Sequence, residues 1–367
     1  MARGKEQPPD ATTAAPAPRA NPDLVGHEST EGELRRLVEA GRLPHAILLS
    51  GPRDIGKATL AFRFARFLLA KRDDATKAAA ESGLSIDPES GVFHRVAAGG
   101  HADLLTVERV YDPRRRRLRG EIVVEDAREI TAFFRLTAAE QGWRVVVVDG
   151  AEEMNRSAAN ALLKVLEEPP RQAFLLLASH SPGRLLPTIR SRCRRFALVP
   201  LACALVTRLL RCYRPELAQP EVEALAALSD GSIGRALELA EAGGLALYRS
   251  VLDTLSQIPR LDVIRLHAFA DRLARTDAED AYHVGGELLL QLLSRITKCS
   301  ARHQRDEEEI IDGEAEVIWR LAVRADAASW ATLREAIEGT LSSTNQLNLD
   351  RKQAILGAFL AIEERAR

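Results

Sequence analysis

Short apolar runs alternate with stretches of helical spacing along the first half of the chain. Residues 45–50, 144–148 and 173–178 are almost wholly apolar, and each run is followed by Gly, Asp or Ser. Residues 57–70 and 156–168 have the spacing of helices. Continuous apolar runs of this length are typical of parallel strands that are buried on both faces. The pattern predicts an α/β fold, with a parallel sheet and helices on both of its faces.

Outside these runs, the hydrophobic periodicity is weaker but still predicts strands and helices. Residues 104–110 and 121–124 are predicted as strands that flank a basic turn, and residues 125–136 as a helix. From about residue 201 the apolar runs end, and the remaining sequence has the pattern of amphipathic helices. The predicted layout is a disordered tail at residues 1–21, an α/β domain at 22–200, a small helical domain at 201–244 and a larger helical domain at 245–367.

Composition narrows the class of protein without identifying it. Of 367 residues, 46% are hydrophobic and 28% are charged, as in soluble globular proteins. No apolar run reaches the ~18–20 residues that span a bilayer, and the N-terminus lacks the apolar core of a secretion signal. With 51 basic and 52 acidic residues, the chain lacks the excess positive charge of a stand-alone DNA-binding protein. A subunit that contacts DNA within an assembly is compatible with this balance.

The cysteines do not form a framework. Their spacing matches neither a zinc site nor a set of disulfides, so we expect reduced thiols in the cytosol. They are Cys193, Cys203, Cys212 and Cys299.

A phosphate-binding loop is predicted between the first buried strand and the helix after it. Gly51, Gly56 and Lys57 fit the pattern G-x-x-x-x-G-K-[ST], whose backbone N–H groups and lysine hold phosphate oxygens. The next residue is Ala58, where a Ser or Thr hydroxyl would bind Mg²⁺. Thr59 lies one residue later and faces elsewhere. We expect impaired metal binding, or, as the alternative, a tight glycine turn with a solvated lysine.

A second half of a nucleotide site follows the strand at residues 144–148. Asp149 ends that strand, where a carboxylate can hold Mg²⁺. A glutamate that orients the attacking water usually comes next in hydrolysing enzymes, but this chain has Gly150. Glu152 and Glu153 lie nearby, past the strand end, and either is a candidate to replace it. Two separate defects indicate a site that no longer hydrolyses ATP.

Five segments carry a resemblance to a known family. They are VGHE at 25–28, NRSAANALLKVLEEPP at 155–170, LLPTIRSRC at 185–193, GSIGRAL at 231–237 and NLDRKQAILGAF at 348–359. Together they extend over nearly all of residues 22–367 and resemble bacterial clamp-loader subunits, which are AAA+ proteins. In the ATPase subunits of that family the loop reads GKT or GKS and the strand ends in Asp-Glu. This chain has GKA and Asp-Gly, and it ends without a long polymerase-tethering tail, so the resemblance favours the delta-prime branch.

The resemblance implies roles for several residues. Arg192, between Ser191 and Cys193, corresponds to an arginine finger that acts on the ATP of a neighbouring subunit; the alternative is a surface arginine in an ion pair. Ser179 falls at the sensor-1 position, where it would reach the γ-phosphate or cap the strand. Arg235 falls in the sensor-2 region, where it would contact nucleotide or lie solvated on the lid.

The resemblance also implies a place in an assembly. The chain would be the stator-like subunit of a five-membered ring, with a lid at residues 201–244 and an oligomerisation collar at 245–367. Its partners would be the gamma/tau ATPase subunits, the delta subunit, the sliding clamp and primer–template DNA, in cytoplasmic DNA replication without a membrane. The rivals are an active ATPase motor subunit and a nucleotide-binding scaffold outside replication.

Two further features concern ligands. The family usually has four zinc cysteines before a segment that here reads HADL, but residues 70–100 contain none. His94 and His101 alone make a poor zinc site, so we predict no zinc and no required cofactor, with ATP or ADP bound at most without hydrolysis. The arginines of the basic turn either meet a DNA backbone or lie solvated in a hairpin. They are Arg114, Arg115, Arg116, Arg117 and Arg119.

Overall fold

The computed structural model describes two compact units. The first is an α/β unit that extends to Leu205 and includes Gly231–Ile233, and the second is a helical unit of Val206–Asp230 and Gly234–Arg367. Within the described part, no helix is both long and apolar enough to cross a membrane. The described residues are 15–70, 83–112, 117–140, 142–275, 279–305, 308–347 and 349–367.

In chain order the elements of the α/β unit are α1 (Glu28–Glu39), β1 (Ala46–Ser50), α2 (Lys57–Leu69), α3 (Gly91–Ala97), β2 (Leu104–Val107), β3 (Tyr111–Asp112), β4 (Arg117–Leu118), α4 (Val124–Arg135), β5 (Arg144–Asp149), α5 (Arg156–Glu167), β6 (Ala173–Ser179), α6 (Pro187–Arg190) and β7 (Arg194–Ala197). Five parallel strands form the sheet of this unit, in the order β2-β5-β6-β1-β7, and β3 and β4 form a separate antiparallel pair. Short 3₁₀ turns follow β5 at Ala151–Glu153 and β6 at Pro182–Arg184.

The central strands are buried on both faces because their side chains alternate between two cores. Val145 and Val147 of β5 pack into a core with α1 and α2, while Val146 and Val148 pack into a second core with α4 and α5. Leu48 of β1 joins the second core. The predicted parallel sheet with helices on both faces is therefore confirmed.

The strand predictions differ from the structure in three places. The strand predicted at residues 104–110 ends at Val107. Residues 121–124 are not a strand: Ile122 makes only an isolated bridge to Met154, and α4 begins at Val124. The reason is local, because the Asp126 carboxylate accepts from the Val123 N–H at 2.9 Å and caps the helix. The edge strand β7 was not predicted, since only Phe196 of its four residues is buried.

The segment before α1 is held to α2 by a buried arginine. The Arg66 guanidinium donates to the carbonyls of Arg19 at 2.8 Å and Asn21 at 2.7 Å, and lies 4.6 Å from the centre of the Phe93 ring. Arg19 in turn pairs with Glu108 at 3.1 Å. The predicted tail boundary at residue 21 is therefore too late, and residues 1–14 lie outside the described part.

The helical unit contains the predicted collar and most of the predicted lid, whose residues 201–205 and 231–233 belong to the α/β unit. Val206–Asp230 and Gly234–Arg367 form one unit, so a division at residue 244 stays a prediction. Its elements are α7 (Cys203–Tyr213), α8 (Gln219–Leu228), α9 (Ile233–Glu241), α10 (Gly244–Ser256), α11 (Val263–Leu273), α12 (Glu279–Arg302), α13 (Glu314–Ala322), α14 (Ala327–Leu347) and α15 (Arg351–Ala366).

A buried carboxylate joins three parts of the helical unit. Glu314, at the start of α13, is fully buried and accepts from the Tyr248 hydroxyl, the Arg295 guanidinium and, at 2.7 Å, the Ile310 N–H. The pKa of Tyr248 is raised far above its usual value by burial and by this carboxylate. The cluster satisfies each charge only while all of its members are present.

We expect Glu314→Ala to destabilise the helical unit by about 3–5 kcal/mol, because it leaves Arg295 without its buried partner. Glu316→Ala, at an exposed position of the same helix, should change stability by less than about 0.5 kcal/mol. Thermal unfolding monitored by circular dichroism checks both variants. Equal melting temperatures for the two would contradict the role of Glu314.

Candidate functional site

Three elements of the predicted nucleotide site meet at the carboxyl edge of the sheet. β1 ends at Ser50, β6 ends at Ser179 and β5 ends at Asp149. β6 lies between the other two, Ser50 is in register with Ser179, and the Gly51 N–H donates to the Ser179 carbonyl at 3.2 Å. Parallel strands all end at one edge, so this edge collects residues that are distant in sequence.

The loop between β1 and α2 depends on its two glycines. A β-carbon at Gly51 would lie 2.5 Å from the carbonyl oxygen of Leu198. Gly56 has a φ of 104°, which a side chain would disfavour, and it directly precedes α2. The unpaired N–H groups of the first helical turn therefore lie next to the loop, an arrangement that suits phosphate.

Lys57 is buried rather than solvated. The residue is 8% exposed, and its ammonium donates to the carbonyl oxygen of Pro52 in the same loop. Burial lowers the pKa of Lys57, while the carboxylates of Asp54, Asp149 and Glu152 oppose the shift. The alternative of a solvated turn lysine does not match these contacts.

The groups that would bind Mg²⁺ are incomplete. Ala58 lies in the first turn of α2 where a hydroxyl is needed, and the half-buried Thr59 is about 100° further round the helix. Burial raises the pKa of Asp149 to about 6, and Glu108 adds to the rise against the pull of Lys57. A hard cation requires oxygen ligands that are ionised or strongly polar, and the hydroxyl after Lys57 is missing from that set. Impaired metal binding stays a prediction.

The backbone after Asp149 favours glycine. Gly150 has a φ of 74°, and a β-carbon there would lie 2.6 Å from the Glu153 carboxylate. That carboxylate is paired with Arg109 at 2.7 Å, which restricts its movement. A glutamate at position 150 is absent from the sequence and would also be strained there.

Glu152 is bound by His180, which in turn is bound by Arg53. The Arg53 Nε donates to Nε2 of His180 at 3.0 Å, so Nδ1 of that ring carries the proton and donates to the Glu152 carboxylate. The His180 N–H also donates to Glu152, at 2.9 Å. Burial would raise the pKa of Glu152, but backbone N–H groups, the Ser179 hydroxyl and His180 lower it. Glu152 is therefore an ionised partner of His180 rather than a free base.

Arg192 projects between two anchored neighbours. The Ser191 hydroxyl donates to the Thr188 carbonyl at 3.1 Å, which closes the end of α6. Cys193 is buried in the second core, and burial raises the pKa of its thiol to about 12. The Arg192 side chain is 36% exposed, and its Nη1 donates to the Thr188 carbonyl at 3.1 Å while its Nη2 donates to Glu167 at 2.8 Å. These contacts match the alternative of a surface arginine in an ion pair, and the role of an arginine finger stays a prediction.

Arg235 has its contacts within the helical unit. Its Nη2 donates to Oε1 of Gln291 at 3.2 Å and lies 4.0 Å from the Glu287 carboxylate. Gln291 in turn donates to the Leu228 carbonyl and the Asp230 carboxylate, each at 3.1 Å. Arg235 is therefore held by neighbouring side chains rather than solvated, and its contact with nucleotide stays a prediction.

Two predicted features fall partly outside the described residues. Within the arginine cluster, Arg119 is exposed and its N–H donates to the Val110 carbonyl at 2.9 Å. Only the backbone of Arg117 belongs to the described part, and Arg114, Arg115 and Arg116 lie outside it. His101 is buried, with Nδ1 accepting from the Asp103 N–H at 3.1 Å, whereas His94 is exposed. No metal-binding group of three or more His, Cys, Asp or Glu occurs among the residues that the structure describes. The prediction of no zinc stays a prediction.

Comparison with known proteins shows a similarity to one family. Residues 26–202 match the model of a family described as DNA polymerase III, delta subunit. The DNA polymerase III subunit delta' of Pseudomonas aeruginosa is 41% identical over 189 residues, which are 51% of this chain and 53% of that protein. This part of the chain is therefore similar to DNA polymerase III subunits of the delta-prime type.

Two further proteins are less similar to this chain in sequence. The DNA polymerase III subunit tau/gamma of Haemophilus influenzae is 27% identical over 313 residues, which are 83% of this chain and 41% of that protein. The chain thus spans about half the length, or less, of the curated relatives it matches. A solved gamma subunit-related protein from Thermotoga maritima aligns with 92% of this chain and 99% of its own, at 19% identity and a TM-score of 0.40.

Sequence reasoning missed three residues of this candidate site. His180 directly follows Ser179 at the carboxyl edge of the sheet, so its position alone marked it as a candidate. Arg53 lies inside the phosphate loop, and Glu167 lies at the end of the NRSAANALLKVLEEPP segment. Their partners are distant in sequence, and no local pattern predicts such pairs.

We expect Gly150→Glu to lower stability by about 1–3 kcal/mol, because of its positive φ and the contact with Glu153. It should not create ATPase activity, even together with Ala58→Thr. Ala58→Thr alone, at a half-buried helical position, should cost less than about 1 kcal/mol. Thermal unfolding and ATP hydrolysis by the isolated chain check these outcomes, and a fully stable Gly150→Glu variant would contradict the backbone constraint.

Asp149→Asn should stabilise the protein at neutral pH. The pKa of Asp149 is raised from 3.8 to about 6, so the half-buried side chain favours the protonated form and the wild type loses stability as pH rises through this range. The variant should be more stable by about 1–3 kcal/mol at about pH 7.5, and the gain should shrink towards about pH 4.5. Glu125→Gln, at an exposed position, serves as the control in denaturant unfolding at both pH values. A gain that does not depend on pH would contradict this account.

Proposed function

We propose that this chain is the stator-like delta-prime subunit of a bacterial clamp-loader ring and that Arg192 acts on ATP bound to a neighbouring ATPase subunit. One observation carries the proposal: an outward arginine is fixed by Ser191 and the buried Cys193 in a chain whose own phosphate site lacks the groups for hydrolysis. An arginine that completes the site of another subunit has no need of an active site in its own chain.

The chemistry of Arg192 suits this role. A guanidinium offers planar N–H donors that match phosphate oxygens and stays protonated at physiological pH. Negative charge develops on the oxygens around the γ-phosphate during hydrolysis, and an arginine supplied by a neighbour can increase the rate by ~10³–10⁵. Anchoring by Thr188 and Cys193 would reduce the freedom that the side chain must lose in the transition state.

The assembly follows from the same proposal. The partners are the gamma/tau ATPase subunits and the delta subunit, and the clamp and primer–template DNA are bound by the complex during cytoplasmic DNA replication. The chain itself requires no cofactor and no zinc, and its phosphate loop holds ATP or ADP at most without hydrolysis. The similarity of residues 26–202 to the delta family supports this assignment.

An ATPase motor subunit is the second candidate. Similarity to a tau/gamma subunit extends over 83% of this chain, and Lys57 and Asp149 are close enough to affect each other's pKa. This candidate requires Mg²⁺-dependent hydrolysis by the isolated chain. The contacts of Glu152 and the backbone at Gly150 count against it.

The deciding experiment measures DNA-stimulated ATP hydrolysis by a reconstituted loader with one altered residue in this chain. Arg192→Ala should lower turnover by at least about tenfold because it removes the charge that stabilises the transition state. Lys57→Ala should change turnover by less than about twofold, since no hydrolysis is assigned to this chain. The neighbouring exposed Arg190→Ala controls for a simple loss of surface charge.

Each alternative result has a distinct meaning. A large effect of Lys57→Ala, or turnover by the isolated chain, would support the motor-subunit candidate. Equal effects of Arg190→Ala and Arg192→Ala would reject a specific finger. Melting temperatures of the isolated variants show whether each change left the fold intact.

A further inference from the structure

Arg192 is held at two points by its own chain. Its Nη2 donates to Oε1 of Glu167 at 2.8 Å, and its Nη1 donates to the Thr188 carbonyl at 3.1 Å. Glu167 is the last residue of α5, and Thr188 lies in α6, so two helices fix the direction of the guanidinium. A guanidinium has five N–H donors, and these contacts use two of them. The others remain for a phosphate outside the chain.

Glu167 lies at the carboxyl end of α5, where a nearby cation is favoured. The carboxyl end of a helix carries partial negative charge, which disfavours a carboxylate there and favours a cation beside it. α5 ends at Glu167 because Pro169 and Pro170 follow two and three residues later. Arg192 therefore interacts favourably with both the carboxylate and the helix end.

The contact contributes more to orientation than to stability. The side chains of Arg192 and Glu167 are 36% and 50% exposed, and ion pairs with this exposure stabilise a fold only weakly. A long arginine side chain nevertheless has many rotamers, and two anchors select a small part of them. The main effect of removing Glu167 is then a guanidinium that points in more directions.

We infer that Glu167 is a positioning residue for Arg192, which holds the guanidinium in the direction required by a phosphate on a neighbouring subunit. This inference rests on the proposed function of Arg192. It assigns Glu167 a role through its contact with the arginine, without direct contact with nucleotide. The carboxylate anchors one side of the guanidinium and leaves the remaining donors available.

The test uses the reconstituted loader with its ATPase subunits, clamp and primed DNA. Glu167→Ala in this chain should lower kcat for DNA-stimulated ATP hydrolysis by about 3–10-fold, with KM changed by less than about twofold. Glu167→Gln keeps an acceptor oxygen and should lose less activity than Glu167→Ala. Glu168→Ala is the matched control, because this exposed neighbour has the same charge.

A double-mutant cycle isolates the contact. In the Arg192→Ala background, Glu167→Ala should cause no further loss, since there is no guanidinium left to position. A similar loss in both backgrounds would overturn the inference, and so would faster turnover of Glu167→Ala, which would mean that the carboxylate restrains the arginine. Melting temperatures within about 2 °C of wild type exclude a change of fold as the cause.

The same experiment separates the two proposals. If Arg192→Ala lowers turnover and Glu167→Ala does not, the proposed function stands and the positioning role fails. If Arg192→Ala has no effect, the proposed function itself fails.

Discussion

Burial of the sheet on both faces is the constraint on which the rest of the α/β unit depends. Polar side chains are excluded from the middle of β1, β5 and β6, where alternate residues face two separate cores. Polar and charged side chains that can bind a ligand are therefore confined to the strand ends. Parallel strands bring those ends to one edge of the sheet. Ser50, Asp149 and Ser179 occupy that edge for this reason. The phosphate loop and the chain of contacts through His180 are both built there.

The same constraint explains why the central fold was predictable. Strands buried on both faces leave continuous apolar runs in the sequence, and the runs before Gly51, Gly150 and His180 correspond to β1, β5 and β6. β7 has one buried residue in four, so it leaves no such run. Residues 121–124 resemble a strand, but a helix cap from Asp126 determines their conformation. Local hydrogen bonds therefore override composition in that segment.

The candidate site was predictable only in part. Glycine and lysine spacing marks the loop, because the loop is a local structure. The contacts of Glu152 with His180, and of Glu167 with Arg192, join residues 28 and 25 positions apart. Their geometry is set by the packing of separate elements, which periodicity does not encode. The motif match marked Arg192, but only the fold shows what holds it.

The two defects of the phosphate site differ in physical kind. Ala58 lacks a hydroxyl on an ordinary helical backbone, so the difference is confined to one side chain. Gly150 differs in the path of the chain itself, because its positive φ turns the segment that carries Glu152 and Glu153. The carboxylates after β5 then form ion pairs within the protein. The segment after β5 therefore takes part in ion pairs that belong to the fold of this unit.

The buried guanidinium of Arg66 has a consequence for how the protein is prepared. Its two acceptors are the main-chain carbonyls of Arg19 and Asn21. A substitution at either position would keep these acceptors, whereas removal of the residues would not. Expression of a shortened chain that starts at Asn21 would remove one acceptor and place a charged amino terminus beside a cation. The backbone before Asn21 thus satisfies a buried hydrogen-bond donor of α2. A chain shortened to Asn21 would leave that donor without this acceptor.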